Sequence, residues 1–381
     1  FAIFGLSVMQ PGPLPRFILI PFVLVLLSQI WGFTLSRYGA GQFLINIKFM
    51  LCIFACYRLV SANLILEKIP KFLLFVSGLS VLLVGMHYFA PGLELSIFPN
   101  SSVTSYVTGT SIPRAVGAFI HPTALGAYGA LAFLYFYAIH GYALSRRLTR
   151  VGMMLSLLSL LGSMQRMEAA CVMIAVLFLF FLERRMSRLP YKTVAAFGVM
   201  LVAIVAFPAI QSILEILHMG LSGDINNSDM APRLLLFKGG VDLANMHFPF
   251  GAGLGSYGSS MSLVNPHAVY DEAGLSNVWW FESANFLTDT YWAMPLGEVG
   301  WIGASLLLMS YGYMLWLVAS RSRQHVTLRS AAFFRLATLV LTFFLVDSLA
   351  APVYTGSAFI MMFAALAYGA FIKFGLVGQR R

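Results

Sequence analysis

The chain has 381 residues, of which 59% are apolar and only 10% charged, with a formal net charge of +10. A soluble globular protein carries about 25% charged residues, so this composition, with a mean hydropathy of +0.83, excludes a soluble domain. The basic excess does not indicate nucleic acid either, because it falls in short clusters between apolar runs, the positive-inside pattern of membrane proteins.

Read in chain order with those clusters placed in the cytoplasm, the apolar runs alternate sides consistently. "FAIFGLSVMQ" before "PGPLP" reads as the tail of a helix ending inside near Arg16. Helices follow at 17–34, 41–60, 70–90 and 118–140. The stretch 151–184 has basic clusters at both ends (Arg146, Arg147, Arg150; Arg184, Arg185, Arg188, Lys192), so it leaves and returns to the same side. As one helix it would be about 50 Å long, well beyond a hydrocarbon core of about 30 Å. It therefore reads as a hairpin with "GSMQRME" as a tip recessed below the outer surface. A helix at 192–216 exits, a long polar segment at 217–290 stays outside, and helices at 292–320, 331–350 and 354–373 complete the path. Within the polar segment, Pro232 suits a first helical turn, and Leu234, Phe237, Val241 and Ala244 recur at helical spacing, predicting a short interfacial helix. The expected fold is all-α: a polytopic helical membrane protein with about 10–12 transmembrane helices. It is one membrane domain over 1–381, with the external loop 217–290 within it.

Charged residues inside this apolar chain need a reason. Arg166 lies within the hairpin, where a charge at mid-bilayer costs about 2.5–3.5 kcal/mol on insertion scales. Few basic residues fall on the external side: Arg37, Arg114, Arg166, Arg233 and Lys238. A guanidinium keeps its charge when buried and grips phosphate with a planar fork. Recessed arginines at the outer face therefore suggest an anion that lives at that interface, such as a polyprenyl diphosphate. The plain alternative is snorkelling, or a pair with Glu168, although residues two apart do not face each other on a helix. "FPFGAGLGSYG" (248–258) lacks a strand–helix setting and a Walker lysine, so it reads as a tight external turn. His267, Asp271, Glu272, Glu282 and Asp289 lie close in sequence without a metal-ligand pattern. Trp279, Trp280 and Phe281 form either an interface belt or a platform for sugar rings. Cys52, Cys56 and Cys171 lie in apolar runs and suggest neither disulfides nor a metal.

"PRAVGAFIHPTALG" (113–126), "GSMQR" (162–166), "PRLLLFKGG", "FPFGAGLGSYG" and "ESANFLTDTYWAMPLGEVGWIG" (282–303) occur in that order. The order resembles the O-antigen polymerase and O-antigen ligase superfamily over about half the chain, together with the many helices and single large loop. The resemblance implies a fold like the membrane-embedded glycosyltransferases of the GT-C type. It also implies Arg114, Arg166 and Arg233 as holders of the diphosphate of an undecaprenyl-diphosphate-linked oligosaccharide. The activity it implies is inverting, metal-independent and cofactor-free transfer of that glycan to a lipid-linked repeat unit at the periplasmic face of the bacterial inner membrane. Glu282, then His267, are the candidate bases, followed by Asp271 and Glu272, while Trp279, Trp280 and Asn285 are candidates for the acceptor sugar. The partners would be the bilayer and a chain-length regulator, with no nucleic acid. Ligase members carry a histidine beside the asparagine of the last motif. Here Ala284 precedes Asn285, which favours polymerase over ligase. A flippase for the same lipids is the rival from another class; against it stand the single long loop and the missing inverted repeat.

Overall fold

A computed structural model describes residues 15–34, 36–97, 113–119, 121–142, 145–183, 232–265, 268–276, 278, 281, 287–321, 328–355 and 358–376. The expected helices at 1–10 and 192–216 lie outside them. The described helices are α1 (Arg16–Trp31), α2 (Arg37–Leu59), α3 (Ile69–Phe89, entered through a π turn at Leu64–Lys68), α4 (Pro91–Ile97), α5 (Pro122–Ile139), α6 (Arg146–Gly162), α7 (Arg166–Glu183), α8 (Pro232–Met246), α9 (Ala293–Ser320), α10 (Leu328–Asp347) and α11 (Ala358–Ala370). Five described helical segments are long and apolar enough to cross a membrane: Arg37–Leu59, Leu64–Phe89, Pro122–Ile139, Ala293–Ser320 and Ser330–Asp347. The protein is a polytopic helical membrane protein, as the composition required.

The chain divides into two compact units, one of Phe1–Arg58, Ile210–Leu317 and Phe344–Gly369, the other of Leu59–Ala209, Val318–Phe343 and Ala370–Arg381. In the second unit α5 is buried along most of its length, with Tyr128, Tyr135 and Phe136 fully enclosed. A buried hydroxyl needs a partner, and each tyrosine finds a carbonyl: Tyr128 Oη donates to Leu73 O at 2.9 Å, and Tyr135 Oη to Ile65 O, in the π turn, at 2.6 Å. The stretch 151–184 is indeed two helices. α6 begins at Arg146, capped by Ser145 Oγ on Leu148 N, and ends at Gly162, and α7 begins at Arg166. Met164 at the tip has φ 53°. Near the far ends, Glu183 and Arg335 form a two-pronged ion pair at 2.6 and 3.1 Å.

In the first unit Pro21 interrupts α1. A proline has no N–H for the carbonyl four residues back, and Tyr368 Oη donates instead to that orphan, Phe17 O, at 2.7 Å. Gln29, Asn46 and Gln42 are buried in a continuous amide network, with Asn46 Nδ2 donating to Gln29 Oε1 at 2.6 Å and Gln42 Nε2 to Asn46 Oδ1 at 2.7 Å.

The polar segment has an apolar core of its own, built from Leu235, Leu236 and Leu243 of α8 with Tyr257, Tyr270, Leu275 and Leu287 among others. The helix expected over this stretch forms, as α8. Phe237 is exposed, whereas Leu235, Leu236, Gly239 and Gly240 are buried. The two glycines cause this, because a Cβ on Gly239 would lie 2.5 Å from Tyr257 Oη and one on Gly240 2.6 Å from Ala293 O. Only a side-chain-free strip of α8 can approach so closely.

Candidate functional site

The glycine-rich segment is more than a turn. At Gly300, φ 65° and ψ −172° break α9 and free the carbonyls before the break. The loop fills them: Ala252 N donates to Gly297 O at 2.8 Å and Gly253 N to Glu298 O at 2.9 Å, while Leu254 N reaches Gly32 O at 2.9 Å. The side chain of Glu298, 1% exposed, takes the next donors, with Gly255 N at 2.8 Å and Tyr257 N at 3.4 Å from Oε1. Five consecutive or near-consecutive N–H groups thus point into the protein's own helices. They are not free to cradle a phosphate, which is the physical reason that this GxGxG stretch is no nucleotide loop. Irregular backbone of this kind is tolerated beside membrane helices where protein buries it.

The loop continues into a set of hydrogen-bonded side chains. Tyr270 Oη lies 2.8 Å from Ser262 Oγ and accepts from Gly258 N at 3.0 Å, and Asn265 Nδ2 donates to Gly255 O at 2.9 Å. Burial pushes the phenols of Tyr270 and Tyr257 up, Ser262 opposing the shift at Tyr270. Both stay neutral at physiological pH and are hydrogen-bonding scaffold rather than bases. Asp271 is exposed, and Glu272 Oε2 pairs with His247 Nε2 at 2.7 Å. His267, Trp279, Trp280, Glu282 and Asn285 lie outside the described residues. Arg233, exposed at the start of α8, faces Asp289 Oδ2 at 3.5 Å. An exposed pair of this length is worth about 0–1 kcal/mol, so it leaves the guanidinium available.

In the second unit, Arg114 and the hairpin tip share one place. The Tyr88 hydroxyl lies 3.0 Å from Pro113 O and 2.9 Å from Gly162 O, dividing its single proton between them. Arg114 follows Pro113 directly, and Arg166 opens α7 four residues after Gly162, so both guanidiniums spring from backbone gathered about Tyr88. Ala115 is buried against Val84 and Leu125, with Tyr88 and Phe119 packed beside them, which fixes the segment carrying Arg114. The tip also lies against the start of α5: a Cβ on Gly126 would stand 2.8 Å from Gln165 Cβ, and Gln165 Nε2 reaches Thr123 Oγ1 at 3.5 Å. Two helix N-termini, those of α5 and α7, therefore meet beside two arginines. Helix N-termini carry unsatisfied N–H groups and about half a positive charge each. Arg114 Nε is buried with no hydrogen-bond partner among the described residues, whereas Arg166 is exposed. Glu168 is buried in the first turn of α7, where a negative charge complements the helix end. This grouping lies in the backbone, at Pro113 and Gly162. Tyr88, which organises it, carries no sequence signal beyond being a tyrosine at a helix end.

No curated protein matches the chain. The family model described as O-antigen ligase matches residues 151–308, about two fifths of the chain, beginning within α6 and running through the glycine-rich loop into α9. Over that stretch the chain is similar to the O-antigen ligase family.

Proposed function

We propose that the protein is a polysaccharide polymerase, transferring a glycan from an undecaprenyl-diphosphate donor to a lipid-linked repeat unit at the periplasmic face of the bacterial inner membrane. The observation that carries this reading is the gathering of Arg114, Arg166 and two helix N-termini about Tyr88. Such a gathering of positive charge suits a diphosphate that leaves as the acceptor hydroxyl attacks the sugar C1. The leaving group needs no protonation; it needs the growing negative charge to be met by donors already in place. Arg233 is proposed as a diphosphate-binding residue, Glu282 as the base that takes the acceptor proton, and His267 as the next candidate. Transfer to lipid A-core is the second reading, favoured by the description of the matching family as a ligase; Ala284 beside Asn285 favours polymerisation.

The test uses purified protein in nanodiscs with lipid-linked repeat units. Arg114→Ala and Arg166→Ala should each slow transfer by about 10²–10³-fold, as for loss of a single oxyanion donor. Lysine at either position should restore little, since an ammonium lacks the fork. Glu282→Gln should bind donor normally and slow transfer by about 10²–10⁴-fold. Normal chain length from Arg166→Ala would refute the diphosphate role. Surface glycan from a deletion strain separates the readings: single repeats on the anchor indicate a polymerase, unanchored glycan a ligase, and lipid-linked units trapped in the cytoplasm a flippase.

A further inference from the structure

The polar segment carries an open cavity of about 320 Å³, lined by Ser262, Asn265, Tyr270, Asp271, Phe281 and Leu287 among others. This lies at the small end of the range for small-molecule sites, about 300–1,000 Å³. Its chemistry is two-sided. Tyr270 and Phe281, with ring centroids 5.3 Å apart, and Leu287 form an apolar wall. Opposite in character are the carboxylate of Asp271, the amide of Asn265 and the hydroxyl of Ser262. Asp271 is exposed and forms no ion pair with any described residue. Among the described residues the lining carries no lysine or arginine. A purely apolar occupant would leave the donors and acceptors of that side unused. A sugar ring satisfies both sides, because it has an apolar C–H face and a rim of hydroxyl donors that a carboxylate and an amide oxygen accept. The polar wall is also held in place: Asn265 Nδ2 is fixed on Gly255 O at 2.9 Å, and Gly255 N is fixed on Glu298 at 2.8 Å. A rigid wall of this kind spares a weak ligand the cost of ordering it.

We propose that this cavity is a saccharide subsite that seats one sugar of the acceptor, with Asp271 accepting from its hydroxyls and Phe281 lying against its apolar face. The assignment to the acceptor rests on the glycosyl-transfer reading above; the saccharide class rests on the cavity alone.

The test uses the full-length protein in nanodiscs and, as probe, the repeat-unit oligosaccharide released by acid from the host's own surface glycan. Binding is read by saturation-transfer NMR and turnover with lipid-linked repeats. Wild-type protein should bind the free oligosaccharide. Asp271→Asn, which removes the charged acceptor, and Leu263→Trp, which fills the cavity from its rim, should each weaken binding about tenfold or more. Leu263 is 44% exposed and Asp271 is exposed, so both variants should keep the wild-type unfolding temperature. Both should raise the KM for the lipid-linked acceptor in the same proportion, and Leu263→Trp, which alters no candidate base, should leave kcat near the wild-type value. Wild-type binding by both variants, or no oligosaccharide binding by the wild type, overturns the subsite. Absence of transfer by wild-type protein that still binds sugar overturns the transferase reading and leaves the saccharide site standing.

Discussion

A single hydroxyl at Tyr88 holds two chain segments whose carbonyls it serves, Pro113 and Gly162. Tyr88→Phe keeps the ring and removes only the donor. The stability loss should be about 1 kcal/mol, the usual net worth of one hydrogen bond. If the hydroxyl positions Arg114, transfer should fall by more than that loss of stability explains, because a small misplacement of a charged donor is costly. Thermal unfolding and transfer rate, measured together, separate the two, and an unchanged rate would make Tyr88 purely structural. Glu298 offers a second discriminating substitution. Glu298→Ala leaves Gly255 N and Tyr257 N buried without an acceptor, at about 1–3 kcal/mol for each orphaned group. Glu298→Gln retains one carbonyl oxygen, so its unfolding temperature should stay much closer to wild type. Equal losses from Ala and Gln would mean that the charge, rather than the acceptor, holds the loop.

Among the elements, α9 and the α5–α6 pair depend on missing side chains. The break in α9 exists because Gly300 adopts φ 65° and ψ −172°, a conformation that L side chains rarely take. A Cβ there would also meet Gly251 N at 2.8 Å. Gly300→Ala should therefore destabilise by at least about 1–3 kcal/mol and release the 249–255 backbone. Limited proteolysis should then cut within that segment in the variant and not in the wild type. In the α5–α6 pair, a Cβ on Gly129 would stand 2.7 Å from Leu160 N, a backbone atom that cannot step aside. Gly129→Val should cost about 1–3 kcal/mol by overpacking, read as a lower unfolding temperature in detergent. An unaffected variant would mean that the helices part without penalty.

At the scale of the whole molecule, the basic clusters set the orientation. Residues 217–290 should face the periplasm, and 145–150, 184–192 and 321–329 the cytoplasm, by the positive-inside rule. In a background without Cys52, Cys56 and Cys171, an impermeant thiol reagent applied to intact cells with a permeable outer membrane should label Ser222→Cys and spare Ser322→Cys. Labelling of Ser322→Cys would reverse the orientation and with it the side on which glycan is transferred.

The sequence alone determined the class, the helical runs and the hairpin, since hydropathy over about 20 residues, charge sidedness and the length of 151–184 are short-range properties written in adjacent residues. It also singled out Arg114 and Arg166, because a charge in an apolar run stands out wherever it lies. It did not single out Tyr88 or Glu298, nor the buried glycine strip of α8. Those depend on partners far along the chain: Tyr88 on Gly162, Glu298 on Gly255, Gly240 on Ala293. The glycine-rich segment shows the division most clearly. Its composition permits either a phosphate cradle or a packed turn. Only the broken helix beside it, offering carbonyls at Gly297 and Glu298, decided where its N–H groups point.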